Sequence, residues 1–215
     1  MIAAVEVGYP MLMATNSNSA APRRRTSIGA RRSPEAEAAV LDAARSLISE
    51  KGYAGFSVDE VARRAGSGKT TIYRWYPTKA DLFIAIYEPA RLTHVRVNNT
   101  GDLVEELVHY TTSLWRFWAS HPAGDALRGL IAEAQGSSEA LLALRERFLP
   151  DRTNDVRGIF EAGADRGEVS PDQVADKISL WVAFSWFKLL LGELDDESKI
   201  PSMMVQISGR QASNI

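Results

Sequence analysis

Beyond Ser33 the apolar residues recur at helical spacing, and the chain is expected to fold as an all-α protein. Ser33-Pro34 opens the first helix, with serine as N-cap and proline at the first helical position. Its apolar face is Val40, Leu41, Ala44, Leu47 and Ile48, and Gly52 stands where such a helix ends. Tyr53 and Phe56 then plug a small core. Ser57 with Glu60 three residues on has the form of a capping box, so a second helix is predicted from Val58, burying Val58, Val61, Ala62 and Ala65. Gly66-Ser67-Gly68 tolerates positive φ and turns the chain. In the short helix that follows, Ile72 and Tyr76 share a packing face, Pro77 closes it, and Thr78 caps the next helix with Asp81. That helix carries Leu82, Phe83, Ile86 and Tyr87, and Pro89 predicts a kink or an end near Tyr87.

Asn98-Asn99-Thr100-Gly101 is a turn cluster and a plausible boundary. Helices are predicted after it over 102–120, with Leu103, Leu107, Tyr110, Leu114 and Trp118 on one face, and over 125–134. A further helix over 137–149 stripes Leu141, Leu144 and Phe148, and others cover 151–166, 171–191 and 201–207. The 171–191 helix is apolar nearly all round, from Leu180 through Trp181, Phe184, Trp186 and Phe187 to Leu191. Such a helix needs more than one neighbour, so part of it faces its own core and part a second subunit. Ser185 and Lys188 interrupt it, and it is too short to read as membrane-spanning.

Composition changes the picture in three places. With 45% hydrophobic residues in 215, the chain can bury a real core. It has no cysteine, which excludes disulfides and thiolate metal sites and suits a reducing compartment. The formal charge of −2 hides an asymmetry: residues 1–91 hold 13 Lys/Arg against 9 Asp/Glu, and the remainder 12 against 18. A basic front and an acidic back suit a protein that brings one end to a polyanion. The first 32 residues are expected to be disordered, neither signal peptide nor membrane span, with Met11 or Met13 as alternative starts. Arg31 and Arg32 close an arginine-containing stretch there, read either as an arm that reaches DNA or as a plain solvated tail.

The candidate chemistry lies on the short helix. Opposite Ile72 and Tyr76 it presents Lys69, Thr70, Thr71, Tyr73 and Arg74, groups suited to phosphates and base edges. Gly68-Lys69-Thr70 also resembles the end of a phosphate-binding loop, but the glycine that motif needs five residues earlier is Arg63, and no strand precedes it. No nucleophile with an adjacent base and no paired carboxylates in an apolar setting point to an enzyme, and no cofactor is implied. His94, His109 and His121 are not spaced as metal ligands. Trp115, Trp118, Trp181 and Phe184 are candidates for lining a ligand pocket, or else plain core.

The stretch TIYRWYPTKADL, preceded by GYAGFSVDEVA, resembles the DNA-binding domain of the TetR family of transcriptional regulators over Ser33 to Pro89. LRGLIAEAQ, ALRERFLPDR and RGEVSPD resemble one of that family's ligand-domain types. The resemblance implies an N-terminal three-helix helix-turn-helix domain over 33–91, with the motif at about 57–76. A larger helical ligand-binding and dimerisation domain then covers 92–215. It implies a cytoplasmic repressor that binds a palindromic operator as a homodimer through 151–166 and 171–191 and answers to a small apolar effector. In that reading Thr70, Thr71 and Arg74 face bases, Lys69, Tyr73 and Lys79 hold phosphates, and Trp75 flanks them. The competing reading is a helical adaptor that binds protein only.

Overall fold

The computed structural model describes residues 33–210. The expected arm with Arg31 and Arg32 lies outside them, as do residues 211–215. Among the described residues there is no strand.

Helix α1 (Pro34–Gly55) begins where Ser33 Oγ accepts the Ala36 N–H, and at Gly52 the backbone leaves helical geometry at φ 62°. That departure swings Tyr53 and Phe56 beneath the core, where both are buried. Helix α2 (Val58–Ala65) starts at Ser57, whose hydroxyl accepts the Glu60 N–H at 3.3 Å. The reciprocal half of the expected capping box is missing. Glu60 turns instead to Arg63, at 2.8 and 2.6 Å, and Arg64, at 3.2 Å, because charge-assisted bonds to two guanidiniums outcompete one backbone donor. Arg63 first and Arg64 second hold its carboxyl down at about 2. Gly66 makes the turn at φ 60°, and α3 (Lys69–Trp75) follows. Thr78 and Asp81 form the complete capping box, each accepting the other's N–H at 3.0 Å, and launch α4 (Lys79–His94).

Helix α4 does not end near Tyr87 but continues through Pro89 to His94, past the anticipated 91/92 boundary. The missing proline donor costs one intrahelical bond. The far end is tied to its surroundings by side-chain contacts. Arg91, 3% exposed, bonds Asp155 at 2.5 Å and Glu88 at 3.0 and 2.9 Å, and the Val95 N–H closes on the Arg91 carbonyl at 2.8 Å.

Helix α5 (Leu103–Ser120) is the axis of the second half, burying its whole predicted face from Leu103 to Trp118. Helix α6 (Pro122–Ala134) starts earlier than its apolar pattern indicates, because His121 Nδ1 accepts the Ala123 N–H at 3.1 Å. The expected helices over 137–149 and 151–166 prove to be a broken run: α7 (Ser138–Ala143), a π-helical turn (Leu144–Phe148), α8 (Leu149–Arg152) and α9 (Asn154–Asp165). The wider turn changes the facing of the segment, so Leu141 is exposed while Ala140, Leu144 and Phe148 are buried. A 3₁₀ turn at Pro171–Gln173 leads into α10 (Val174–Leu191), and α11 (Ile200–Ser208) packs on α5.

The front helices meet the rest where α1 lies on α6. A Cβ on Gly129 of α6 would stand 2.6 Å from the Cβ of Tyr53, so the approach requires glycine there. Beside it, Glu133 accepts from Tyr53 Oη at 3.4 Å and from Lys79 Nζ at 2.8 Å, and Lys79 Nζ lies 4.0 Å from the centre of the Tyr53 ring. Burial, and then Glu133, raise the Tyr53 phenol above its ordinary range. Gly129→Ala is expected to overpack this joint and cost about 1–3 kcal/mol in urea unfolding, without changing the helix content of the native state. In a double-mutant cycle on stability, Lys79→Ala and Glu133→Ala should show a coupling of about 0.5–1 kcal/mol, the size of a half-exposed pair with a ring beneath it.

Candidate functional site

Helix α3 is held by one buried residue, Ile72, with Tyr76 buried just beyond its end. Both side chains point into the core formed with α1 and α2. Lys69, Thr70, Tyr73 and Arg74 are exposed, while Thr71 and Trp75 are half-buried. The expected set is therefore brought together on one short helix, with one exception. Lys79 does not join it. As the first residue of α4 its ammonium is taken by Glu133 and the Tyr53 ring, so it spans the joint to α6 instead of lying open as a phosphate clamp. Lys69 pairs with Asp59 at 2.6 Å, a contact between two exposed side chains that a phosphate can displace at small cost.

A second feature lies behind α4. Trp118, Trp181, Trp186 and Phe148 enclose a space of about 20 Å³, room for a single water molecule. Of the four aromatic residues expected at a pocket, Trp118 and Trp181 line this space. Trp115 and Phe184 lie outside that lining, tilted against each other with ring centres 5.2 Å apart. The indole donors of the lining pair are satisfied, Trp118 by Tyr87 Oη and Trp181 by Thr111 Oγ1, both at 2.8 Å.

The polar wall escaped sequence reasoning. Tyr87, Tyr110, Arg91 and Arg152 all face this space. Arg91 is fully occupied by Glu88 and Asp155, and Tyr110 Oη also donates to Asp155 at 3.3 Å. Arg152, with 10% of its side chain exposed, forms an ion pair with Glu88 and lies against the rings of Tyr87 and Phe148, its guanidinium carbon 5.5 and 5.4 Å from their centres. Nη1 is the atom that meets the Glu88 carboxylate, while the buried Nε has no hydrogen-bond acceptor. Burial lowers its pKa, and burial raises the Tyr87 phenol to about 12. One signal was present: Arg91 falls four residues after Tyr87 and eight after Phe83, continuing their buried stripe.

Among the described residues no cluster of His, Asp and Glu is arranged to hold a metal ion, and no helix is long and apolar enough to cross a membrane. Residues 40–86 match the family described as bacterial regulatory proteins, tetR family, and residues 97–201 match the tetracyclin repressor-like C-terminal domain. YdeS of Bacillus subtilis (strain 168), an uncharacterized HTH-type transcriptional regulator, is 30% identical over 179 residues, covering 82% of this chain and 90% of its own. The HTH-type transcriptional regulator AqdR of Rhodococcus erythropolis is 32% identical over 130 residues, 60% of this chain and 62% of that one. Among solved structures, the TetR family transcription regulator SCO0332 superposes with a TM-score of 0.68 at 25% identity, covering 83% of this chain and all of that one. These relatives are transcriptional regulators rather than enzymes, and they leave the adaptor reading without support. The exposed row on a capped helix-turn-helix, the helical body behind it and these relatives together establish that the chain belongs to the TetR family of DNA-binding transcriptional regulators.

Proposed function

We propose that the protein is a ligand-responsive repressor that binds an inverted-repeat operator as a two-fold homodimer. The observation that carries the DNA-reading part is the one-sided burial of α3, which leaves Lys69, Thr70, Tyr73 and Arg74 outward within two turns of helix. Thr70, Thr71 and Arg74 read base edges, Lys69 and Tyr73 hold phosphates, and Trp75 buttresses the helix from the core side. Lys79 acts through the joint with Glu133. Arg74→Ala should cost about 1–3 kcal/mol of operator affinity and relax one base pair, whereas Lys69→Ala should weaken all sequences alike and reduce the salt slope by about 1. Gel shifts on the DNA flanking its own gene, run over a salt series, measure both; unchanged binding by both variants would remove the assignment.

The dimer reading rests on α10. Its buried side is Val174, Ile178, Trp181, Ser185 and Leu189, while Leu180, Phe187, Leu190 and Leu191 are each about half exposed, a contiguous apolar face on a helix that also has a core to fill. Together with α9 this face supplies a self-complementary surface, as two-fold assembly demands. Half-sites are then separated by about one helical turn of DNA or a multiple of it. Sedimentation of the wild type at micromolar concentration should give a dimer, and Phe187→Glu should give a folded monomer that has lost most operator affinity.

Regulation rests on the enclosed space behind α4. That helix carries Tyr87 and Arg91 in the cavity wall and begins at Lys79, directly after the DNA-reading unit. A small effector entering there shifts α4 and with it the separation of the two reading heads. DNA and effector are coupled reciprocally, by about 1–3 kcal/mol.

A further inference from the structure

One buried hydroxyl in the cavity wall has a hydrogen to give and no group to take it. Tyr87 is 1% exposed, and its Oη accepts the Trp118 indole N–H at 2.8 Å. The other buried aromatic donors of the lining have spent their hydrogens, Trp181 on Thr111 Oγ1 at 2.8 Å and Tyr110 on Asp155 at 3.3 Å. The Tyr87 hydrogen finds no acceptor among the described residues. Burial, working against the Trp118 bond and the charges of Arg152 and Arg91, pushes its pKa up to about 12, so the group stays a phenol and keeps that hydrogen. The same three neighbours cannot accept it, since an indole N–H and two guanidiniums are donors only. All three line the space together with Tyr87, so an acceptor has to come from inside it.

Resting on the reading that this cavity is the effector site, we propose that the effector is a neutral, largely apolar molecule with a carbonyl oxygen that takes the Tyr87 hydroxyl hydrogen, its apolar body lying among Trp118, Trp181, Trp186 and Phe148. Neutrality follows from the ion pairs. Arg91 and Arg152 are matched by Glu88 and Asp155, so the wall holds no unpaired charge for an ionic guest. A carbonyl suits the position because it accepts without bringing a hydrogen that needs a partner in turn. A buried donor left unmatched costs more than a matched one gains, so a guest that lacks the oxygen is penalised. The space as it stands admits only a water, so binding requires the wall to open. The segment that opens is the π-helical turn with α8, a short broken run that contributes Phe148, Leu149 and Arg152 to the lining. The guest is then held by a side chain of α4, the helix that starts directly after the DNA-reading unit.

The test uses the full-length protein and ketones matched to their hydrocarbons, 1-tetralone with tetralin, benzophenone with diphenylmethane and acetophenone with ethylbenzene, by isothermal titration calorimetry. Tyr87→Phe alone frees the Trp118 N–H to serve in its place, so the comparison is between Trp118→Phe and the double variant Tyr87→Phe with Trp118→Phe. At least one ketone should bind wild type and Trp118→Phe, and its affinity relative to its hydrocarbon should fall about fivefold in the double variant, the size of one buried hydrogen bond with the hydrophobicity of the probes cancelled. The infrared C=O stretch of the bound ketone, which a change in packing alone does not imitate, should lie below its position in hexane and return toward it in the double variant. Circular dichroism melts establish that each variant is folded; should the double variant be unfolded, replacement of Tyr87 by 3-fluorotyrosine, a stronger donor of nearly the same shape, should lower the stretch further and carries the same weight. Binding of no ketone, an unshifted stretch, a preference already lost in Trp118→Phe, or one unchanged in the double variant, as when the hydroxyl serves only a buried water, would overturn the proposal. Operator gel shifts with each probe separate this from the wider reading. A ketone held through Tyr87 that leaves operator affinity unchanged keeps the site and removes its role as effector site, while ketone and hydrocarbon releasing operator equally keeps the effector site and removes the demand for an acceptor.

Discussion

Helix α4 has to serve two cores at once, and most of the architecture is arranged around that constraint. Its first turns bury Ala80, Leu82 and Phe83 with the reading unit, and its later turns bury Ile86, Tyr87 and Arg91 among the helices behind. Between them runs an unbroken sequence of edge-on rings, Tyr53 to Phe83 at 5.4 Å, Phe83 to Tyr87 at 5.7 Å and Tyr87 to Phe148 at 5.1 Å. Close-packed aromatic contacts do not slide continuously; they hold one arrangement or move to another. The position of α3 is therefore tied through α4 to the shape of the cavity wall. Pro89 removes one intrahelical bond in the later turns, beside Arg91, whose pairing with Asp155 ties that end of the helix to α9.

The buried ionic cluster around Glu88 is not an efficient way to gain stability. Taking the two guanidiniums out of water costs several kcal/mol per ion before their attraction to the partly exposed Glu88 and Asp155 is counted, and apolar packing of similar volume is often as stable. What the cluster supplies is a connection. Glu88 is shared between Arg91 on its own helix and Arg152 on the neighbouring segment, and so ties the two together. An all-apolar wall of the same shape has no such tie.

Local signals made the front of the molecule legible from sequence. Ser33, Ser57, Gly66 and the Thr78–Asp81 box all fix backbone within four residues of themselves, and each acts in the structure as its chemistry dictates. The misreadings share a different cause. Pro89 was overridden by an ion pair to Asp155, 64 positions from Arg91, and Lys79 was claimed by Glu133, 54 positions away. Both partners are invisible to any window that reads spacing. The π-helical turn defeats helical periodicity by its nature, since it changes the number of residues per turn in the middle of an apolar stripe. Trp115 and Trp118 carry identical side chains three residues apart, and only the packing of α10 assigns one to core and the other to the cavity wall.

The two faces of α10 give the last constraint. Trp181, Val182 and Trp186 line the cavity, and Leu180, Phe187, Leu190 and Leu191 lie exposed on the same roughly three turns of helix. On the buried side, with Trp181 and Leu189, sits Ser185, fully buried with no hydrogen-bond partner for its hydroxyl. A guest that presses on Trp181 or Trp186 cannot be absorbed by a soft interior, because the interior has none. The displacement passes to α10 as a body, and so to the face that the second subunit covers in the proposed dimer. In the proposed ligand response, wall opening toward α4 and displacement of α10 at the dimer seam are two consequences of a single packing change.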